Sequence, residues 1–80
     1  MVFPKMADRT LDASGLRCPM PLLKTKLELN AMAAGERLEV IATDAGSARD
    51  IPAYIKLSAH ELLSYKEDNG EYRFVIECGG

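Results

Sequence analysis

The sequence predicts an α+β domain, a two-layer sandwich with two helices on one face of a mixed four-stranded sheet. Three observations carry that expectation. Apolar periodicity reads strand, helix, strand, helix and then two strands. Asn69-Gly70, set between two alternating apolar runs, marks a hairpin. A chain of 80 residues makes one domain, small enough that folding buries only roughly 60–65% of the unfolded surface. Two strand–helix–strand crossovers of the usual right hand put both helices on the same side, and the closing hairpin adds antiparallel pairing.

Met1 to Arg9 shows no periodicity and is expected to be a flexible leader, with Met6 an alternative start; the single domain spans residues 10–80. Thr10 to Ala13 alternates apolar Leu11 and Ala13 with polar Thr10 and Asp12, which suits a short strand ended by Ser14-Gly15. A helix is expected from Pro19 to about Ala34, with Met20, Leu23, Leu27, Ala31 and Ala34 as its apolar stripe and Gly35 as its stop. Arg37 to Thr43 reads as an inner strand, with Leu38, Val40 and Ala42 on one face and Ile41 on the other. The second helix starts at Ser47 or Asp50 as N-cap. Ser47 with Asp50 resembles a capping box, but Pro52 then falls beyond the first turn and removes a hydrogen bond. Ile51, Tyr54, Ile55 and Leu57 form its buried side, and it ends near Ala59. Glu61 to Lys66 and Glu71 to Cys78 are the last strands, with Tyr72, Phe74, Ile76 and Cys78 sharing a face.

Composition removes several function classes. A formal net charge of −2 without a Lys/Arg-rich block speaks against direct nucleic-acid binding. No apolar run reaches the ~20 residues that span a bilayer, and no signal peptide is recognisable, so a cytoplasmic, membrane-free protein is expected. Two cysteines and the single His60 assemble no metal site, and no cofactor is implied.

The chemistry concentrates in Gly15-Leu16-Arg17-Cys18-Pro19-Met20-Pro21. Proline is suited to the first helical turn, so Pro19 is expected at N1 with Pro21 in the same turn, leaving Cys18 as N-cap. Unpaired N–H groups and the positive end of the helix dipole would then favour the Cys18 thiolate. Ser, Thr, Asp and Asn cap better than cysteine, so capping alone does not explain the choice. A cysteine hydrolase needs a positioned base, and nothing places His60 near Cys18. A C-x-x-C dithiol is absent. A lone activated thiolate suits sulfur transfer, attacking a donor persulfide and leaving with its terminal sulfur. Cys78 reads as a core strand residue. Lys24 and Lys26 read as a solvated helix face, although Lys24 could also favour the thiolate. Asp50 reads as a cap paired with Arg49. Met20 belongs either to the core stripe or to an apolar rim that docks a partner.

Leu11-Asp12-Ala13-Ser14-Gly15-Leu16-Arg17-Cys18-Pro19-Met20-Pro21 resembles the Cys-Pro-x-Pro signature of the TusA/SirA sulfur-carrier family. The resemblance continues through Gly35-Glu36, Ala42-Thr43-Asp44, Arg49-Asp50-Ile51-Pro52 and His60-Glu61-Leu62 to Tyr72-Arg73 and Gly79-Gly80. It implies a sandwich like the C-terminal domain of translation initiation factor three. It also implies that Cys18 receives a persulfide from a cysteine desulfurase or rhodanese-like donor and passes it to a downstream acceptor protein. In relatives such relays end in tRNA 2-thiolation, molybdenum-cofactor enzymes or sulfur oxidation. Asp12, Gly15, Arg17, Pro19 and Pro21 would shape the Cys18 environment, and Met20, Lys24, Arg49 and Asp50 are the candidate partner contacts. Met20 stands where the tRNA-thiolating member has an acidic residue. The expected state is a monomer. Two other classes stay open: a redox-sensitive interaction or regulatory module, and a carrier that activates the Gly79-Gly80 carboxylate.

Overall fold

The computed structural model describes residues 7–80; the first six, which hold most of the expected leader, lie outside the described residues. Six elements follow in the expected order: β1 (Arg9–Ala13), α1 (Met20–Asn30), β2 (Arg37–Ala42), α2 (Ala45–Lys56), β3 (Glu61–Asp68) and β4 (Glu71–Glu77). β1 begins one residue before the expected boundary. Asp8 ties down the chain ahead of it, its N–H donating to the Arg37 carbonyl at 2.8 Å and its carboxylate accepting from the Arg37 N–H at 2.9 Å.

The sheet order is β1-β2-β4-β3. β1 runs parallel to β2, with Leu11 opposite Val40 and Ala13 opposite Ala42. β4 lies antiparallel to both β2 and β3, so the hairpin folds its last strand into the sheet between its neighbours. Asn69 and Gly70 both have positive φ (50° and 79°), as a two-residue type I′ turn requires. Leu38, Val40, Ala42, Phe74 and Ile76 are wholly buried and pack with Leu29, Met32, Ile51, Ile55 and Cys78 in the layer between sheet and helices. The opposite sheet face carries charge pairs, Arg73 with Glu39 and Glu71, and Arg37 with Glu77, which keep it wet.

Both helices depart from expectation in ways that shape the site. α1 ends at Asn30 rather than near Ala34, with Ala31 as C-cap. Its buried residues are Pro21, Thr25 and Leu29, followed beyond the helix by Met32. The expected stripe faces outward instead: Met20 is 42%, Leu23 43% and Leu27 69% exposed. Two rows in this segment obey helical spacing, and the buried one was hidden by a polar member. The Thr25 hydroxyl donates to the Pro21 carbonyl at 2.8 Å, so Thr25 is buried with its hydrogen bond made. In α2 the cap is Asp44, whose carboxylate accepts from the Ser47 N–H at 3.1 Å, rather than Ser47 or Asp50. Pro52 lies inside the helix, and Leu57, expected on the buried side, is 89% exposed at the C-cap.

Candidate functional site around Cys18

The parallel strands β1 and β2 end side by side, at Ala13 and Ala42, and the connections leaving them form one rim of the sheet. In open α/β sheets the carboxyl ends of parallel strands are where the loops gather to make sites. The first connection is tightly built. Asp12 accepts from the Ser14 N–H at 3.0 Å, and hydrogen bonding from Ser14, side chain and backbone, holds its carboxyl below the usual range. Gly15 takes φ +79° and donates its N–H to Thr43 Oγ1 at 2.8 Å, joining the two connections. The Leu16 N–H returns to the Ala13 carbonyl, and the Met20 N–H to the Arg17 carbonyl at 2.9 Å. Cys18, at the tip of this turn, is exposed.

Cys18 is not the N-cap. The first i to i−4 bond of α1 runs from the Leu23 N–H to the Pro19 carbonyl, so Pro19 caps the helix and Cys18 stands one residue outside it. The Cys18–Pro19 peptide is cis. The sulfur turns toward α2, where its S–H donates to Asp50 Oδ2 at 3.0 Å. Its thiol is consequently pushed above the ordinary value, first by that hydrogen bond, then by desolvation and by the negative charges of Asp50 and Asp44; only Arg49 pulls the other way. The expected thiolate gives way to a hydrogen-bonded thiol. Arg49, rather than Lys24, is the cation acting on it. Gly46 lies against this site: an added Cβ would crowd the Asp44 carboxylate, 2.9 Å from Oδ2, and would sit in ordinary contact with Cys18 Cβ at 3.5 Å.

The other predicted positions separate clearly. Arg17, Met20 and Lys24 are exposed around the start of α1, and Pro21 is buried beneath it. Arg49 is exposed, its Nε 3.7 Å from Asp50 Oδ1. Lys26 is less solvated than expected, with its ammonium 4.8 Å from the centre of the Tyr54 ring. Cys78 lies at the far end of the fold, buried, with its Sγ within reach of the Leu29 and Met32 carbonyls at 3.4 and 3.7 Å. Leu29 is eleven residues after Cys18, roughly 16 Å along a helical path, whereas a disulfide needs Cα atoms within about 7 Å. His60 is at that same far edge, ahead of β3, and its Nδ1 accepts from the Gly79 N–H at 2.9 Å. Gly79 packs so closely that an added Cβ would collide with the Ala59 carbonyl. Among the described residues, no helix is long and apolar enough to cross a membrane.

Sequence reasoning missed the contact between Asp50 and Cys18 because it spans 32 residues and joins two elements. It also missed that Gly46 lies beside both the Asp44 carboxylate and Cys18, since that contact forms only in the folded chain.

Comparison with known proteins places this chain in a family. A sequence-family model described as Sulfurtransferase TusA matches residues 9–78. The sulfur carrier protein TusA of Allochromatium vinosum is 50% identical over 70 residues, covering 88% of this chain and 92% of that protein. YrkI of Bacillus subtilis, provisionally named a sulfur carrier protein, is 41% identical over 73 residues, 91% of this chain and 97% of its own length. The crystal structure of a SirA-like protein from Desulfitobacterium hafniense superposes with a TM-score of 0.78 at 26% identity, covering 90% of this chain and 99% of that one. With its strand and helix order, its sheet and nearly its whole length matched, the chain belongs to the TusA family of sulfurtransferases.

Proposed function

We propose that this protein is a sulfur carrier that accepts sulfane sulfur as a persulfide on Cys18 and hands it to a downstream protein. Family membership supports the carrier role, and one observation carries the choice of atom. Of the two cysteines, only Cys18 is exposed, on an open turn where another protein's sulfur can approach it. Loading joins the Cys18 sulfur to the terminal sulfur of a donor persulfide while the donor's own S–S bond breaks. The donor's cysteine leaves as a thiol. Unloading repeats the exchange with Cys18 as the leaving group.

A reaction of this kind needs no internal base strong enough for hydrolysis. It needs an accessible sulfur and a surface that docks two different partners in turn. The exposed row of Met20, Leu23 and Leu27, which runs along α1 away from the Cys18 turn, together with exposed Arg17, Lys24 and Arg49, is suited to that task. The donor is a cysteine desulfurase or rhodanese-like protein. The acceptor is a protein thiol in a relay toward tRNA 2-thiolation, molybdenum-cofactor enzymes or sulfur oxidation. A carrier that activates its Gly79-Gly80 carboxylate is disfavoured, because Gly79 is held against Ala59 and His60.

Incubation with a cysteine desulfurase and cysteine, followed by intact mass measurement, tests the proposal. The protein should gain the mass of one sulfur atom, removable by a thiol reductant, and Cys18→Ser should gain none. No gain on the unaltered chain, or an equal gain on the serine variant, would overturn it.

A further inference from the structure

The carboxylate facing the sulfur has a role that capping and packing leave unexplained. Asp50 lies inside α2, whose N-cap is Asp44, and it is only partly buried. One of its oxygens accepts the Cys18 S–H at 3.0 Å and the other faces Arg49 Nε at 3.7 Å. The geometry points to Asp50 as a gate on the sulfur site: in the free carrier it holds Cys18 as the thiol, and a partner that brings a positive charge onto Asp50 frees the thiolate. The inference rests on Cys18 being the sulfur-carrying atom.

A carboxylate beside a cysteine accepts a hydrogen bond from S–H and repels S⁻. Asp44 adds a second negative charge from the turn before α2, and Arg49 is the opposing cation. Arg17 on the turn and Lys24 on α1, the cations nearest Cys18 in sequence, are exposed. Arg49 is 84% exposed in its side chain, so its charge is spent largely on water. Two carboxylates therefore outweigh one solvated guanidinium while the carrier is alone. A thiol is a poor nucleophile, and the unloaded carrier is thereby protected from stray electrophiles and oxidants.

Docking reverses the balance. An Arg or Lys from the partner, placed on Asp50, takes over the carboxylate that accepted the S–H and cancels the charge that opposed ionisation. The Cys18 proton leaves to solvent, and the thiolate attacks the terminal sulfur of the donor's R–S–SH. One S–S bond forms at Cys18 and one breaks in the donor, whose thiolate takes a proton from solvent. Thiol plus persulfide thus becomes persulfide plus thiol, with no net oxidation. The partner class follows from the chemistry: sulfur-exchanging proteins whose docking faces present a cation opposite Asp50.

The test follows Cys18 in the full chain, the Asp50→Asn variant and the Asp50→Glu variant. Iodoacetamide alkylation of the Cys18 peptide is measured from about pH 6 to about pH 10, a range that brackets an ordinary thiol. The asparagine variant should shift its profile to lower pH and react on the order of tenfold faster near neutrality. The glutamate variant should keep the high-pH profile. Loading is then timed with glutathione persulfide and with a cysteine desulfurase supplied with cysteine. The gate gives the asparagine variant a large gain with the small donor and little with the protein donor, which already opens the site. An unchanged alkylation profile would overturn the masking. Equal gains with both donors would overturn opening by the partner. Failure of the unaltered chain to load from either donor counts against the persulfide reading itself, and the alkylation profile still scores Asp50 separately.

Discussion

Replacing Cys78 by alanine separates a structural cysteine from a participant in sulfur exchange. Cys78 is 2% exposed, joined to the core cluster at the C-terminal end of α1, with its sulfur near the Leu29 and Met32 carbonyls. Deleting the buried sulfur forfeits about 1 kcal/mol of transfer free energy and leaves a small void, for a total of about 1–2 kcal/mol. A chain of 80 residues has a stability of roughly 4–12 kcal/mol at ordinary values per residue. The loss is thus survivable. For a domain this size each kcal/mol shifts Tm by roughly 4–8 °C, so thermal unfolding by circular dichroism should fall by about 5–15 °C. Persulfide loading, measured by intact mass well below the variant's midpoint, should match that of the unaltered chain. A folded Cys78→Ala variant that no longer loads would refute the assignment of Cys78 to the core alone. An unchanged melting temperature would refute the packing argument.

Changing Met20, Leu23 and Leu27 together to glutamine should alter stability by no more than about 0.5 kcal/mol per site, because all three face solvent. Loading from a protein donor should slow on the order of tenfold while loading from glutathione persulfide does not change, as timed by mass spectrometry. Asp44→Ala removes the α2 cap on the Ser47 N–H and should cost about 1 kcal/mol in urea unfolding. Asp12 is held below its ordinary value by Ser14, so its contribution is present above the unfolded carboxyl value, about 3.9, and is lost as pH falls through the folded one. Asp12→Asn should therefore show a shallower loss of stability on acidification, and an identical acid slope would count against the turn as described.

The fold was legible where local signals agreed with tertiary packing. Alternation placed Leu38, Val40 and Ala42 on the core face of β2, and all three are fully buried. Asn69-Gly70 marked a hairpin because few dipeptides accept two positive φ values in succession. α1 misled because two rows share helical spacing, and ranking them by hydrophobicity selects Met20, Leu23 and Leu27. The fold instead buries Pro21, Thr25 and Leu29, and the more apolar row remains outside, leading along α1 from the Cys18 turn. That error is informative, since a row too apolar for solvent and left unburied is what a docking face requires. At the site, the Cys-Pro-x-Pro stretch drew attention to Cys18, but its electrostatics could not be read from its neighbours in sequence. Helix termini are local features, whereas Asp50 reaches the sulfur from another helix. Similarly, the packing of Gly79 against Ala59, which leaves no space for a side chain, is made across the fold and has no local signal.

The most direct test is to locate the transferred sulfur. After loading by a cysteine desulfurase, the free thiols and persulfide are alkylated, the protein is digested, and tandem mass spectrometry maps the additional sulfur atom. It is predicted on the peptide containing Cys18, with Cys78 and the C-terminal peptide unmodified. Sulfur found on Cys78, or as a thiocarboxylate at the Gly79-Gly80 end, would contradict the account.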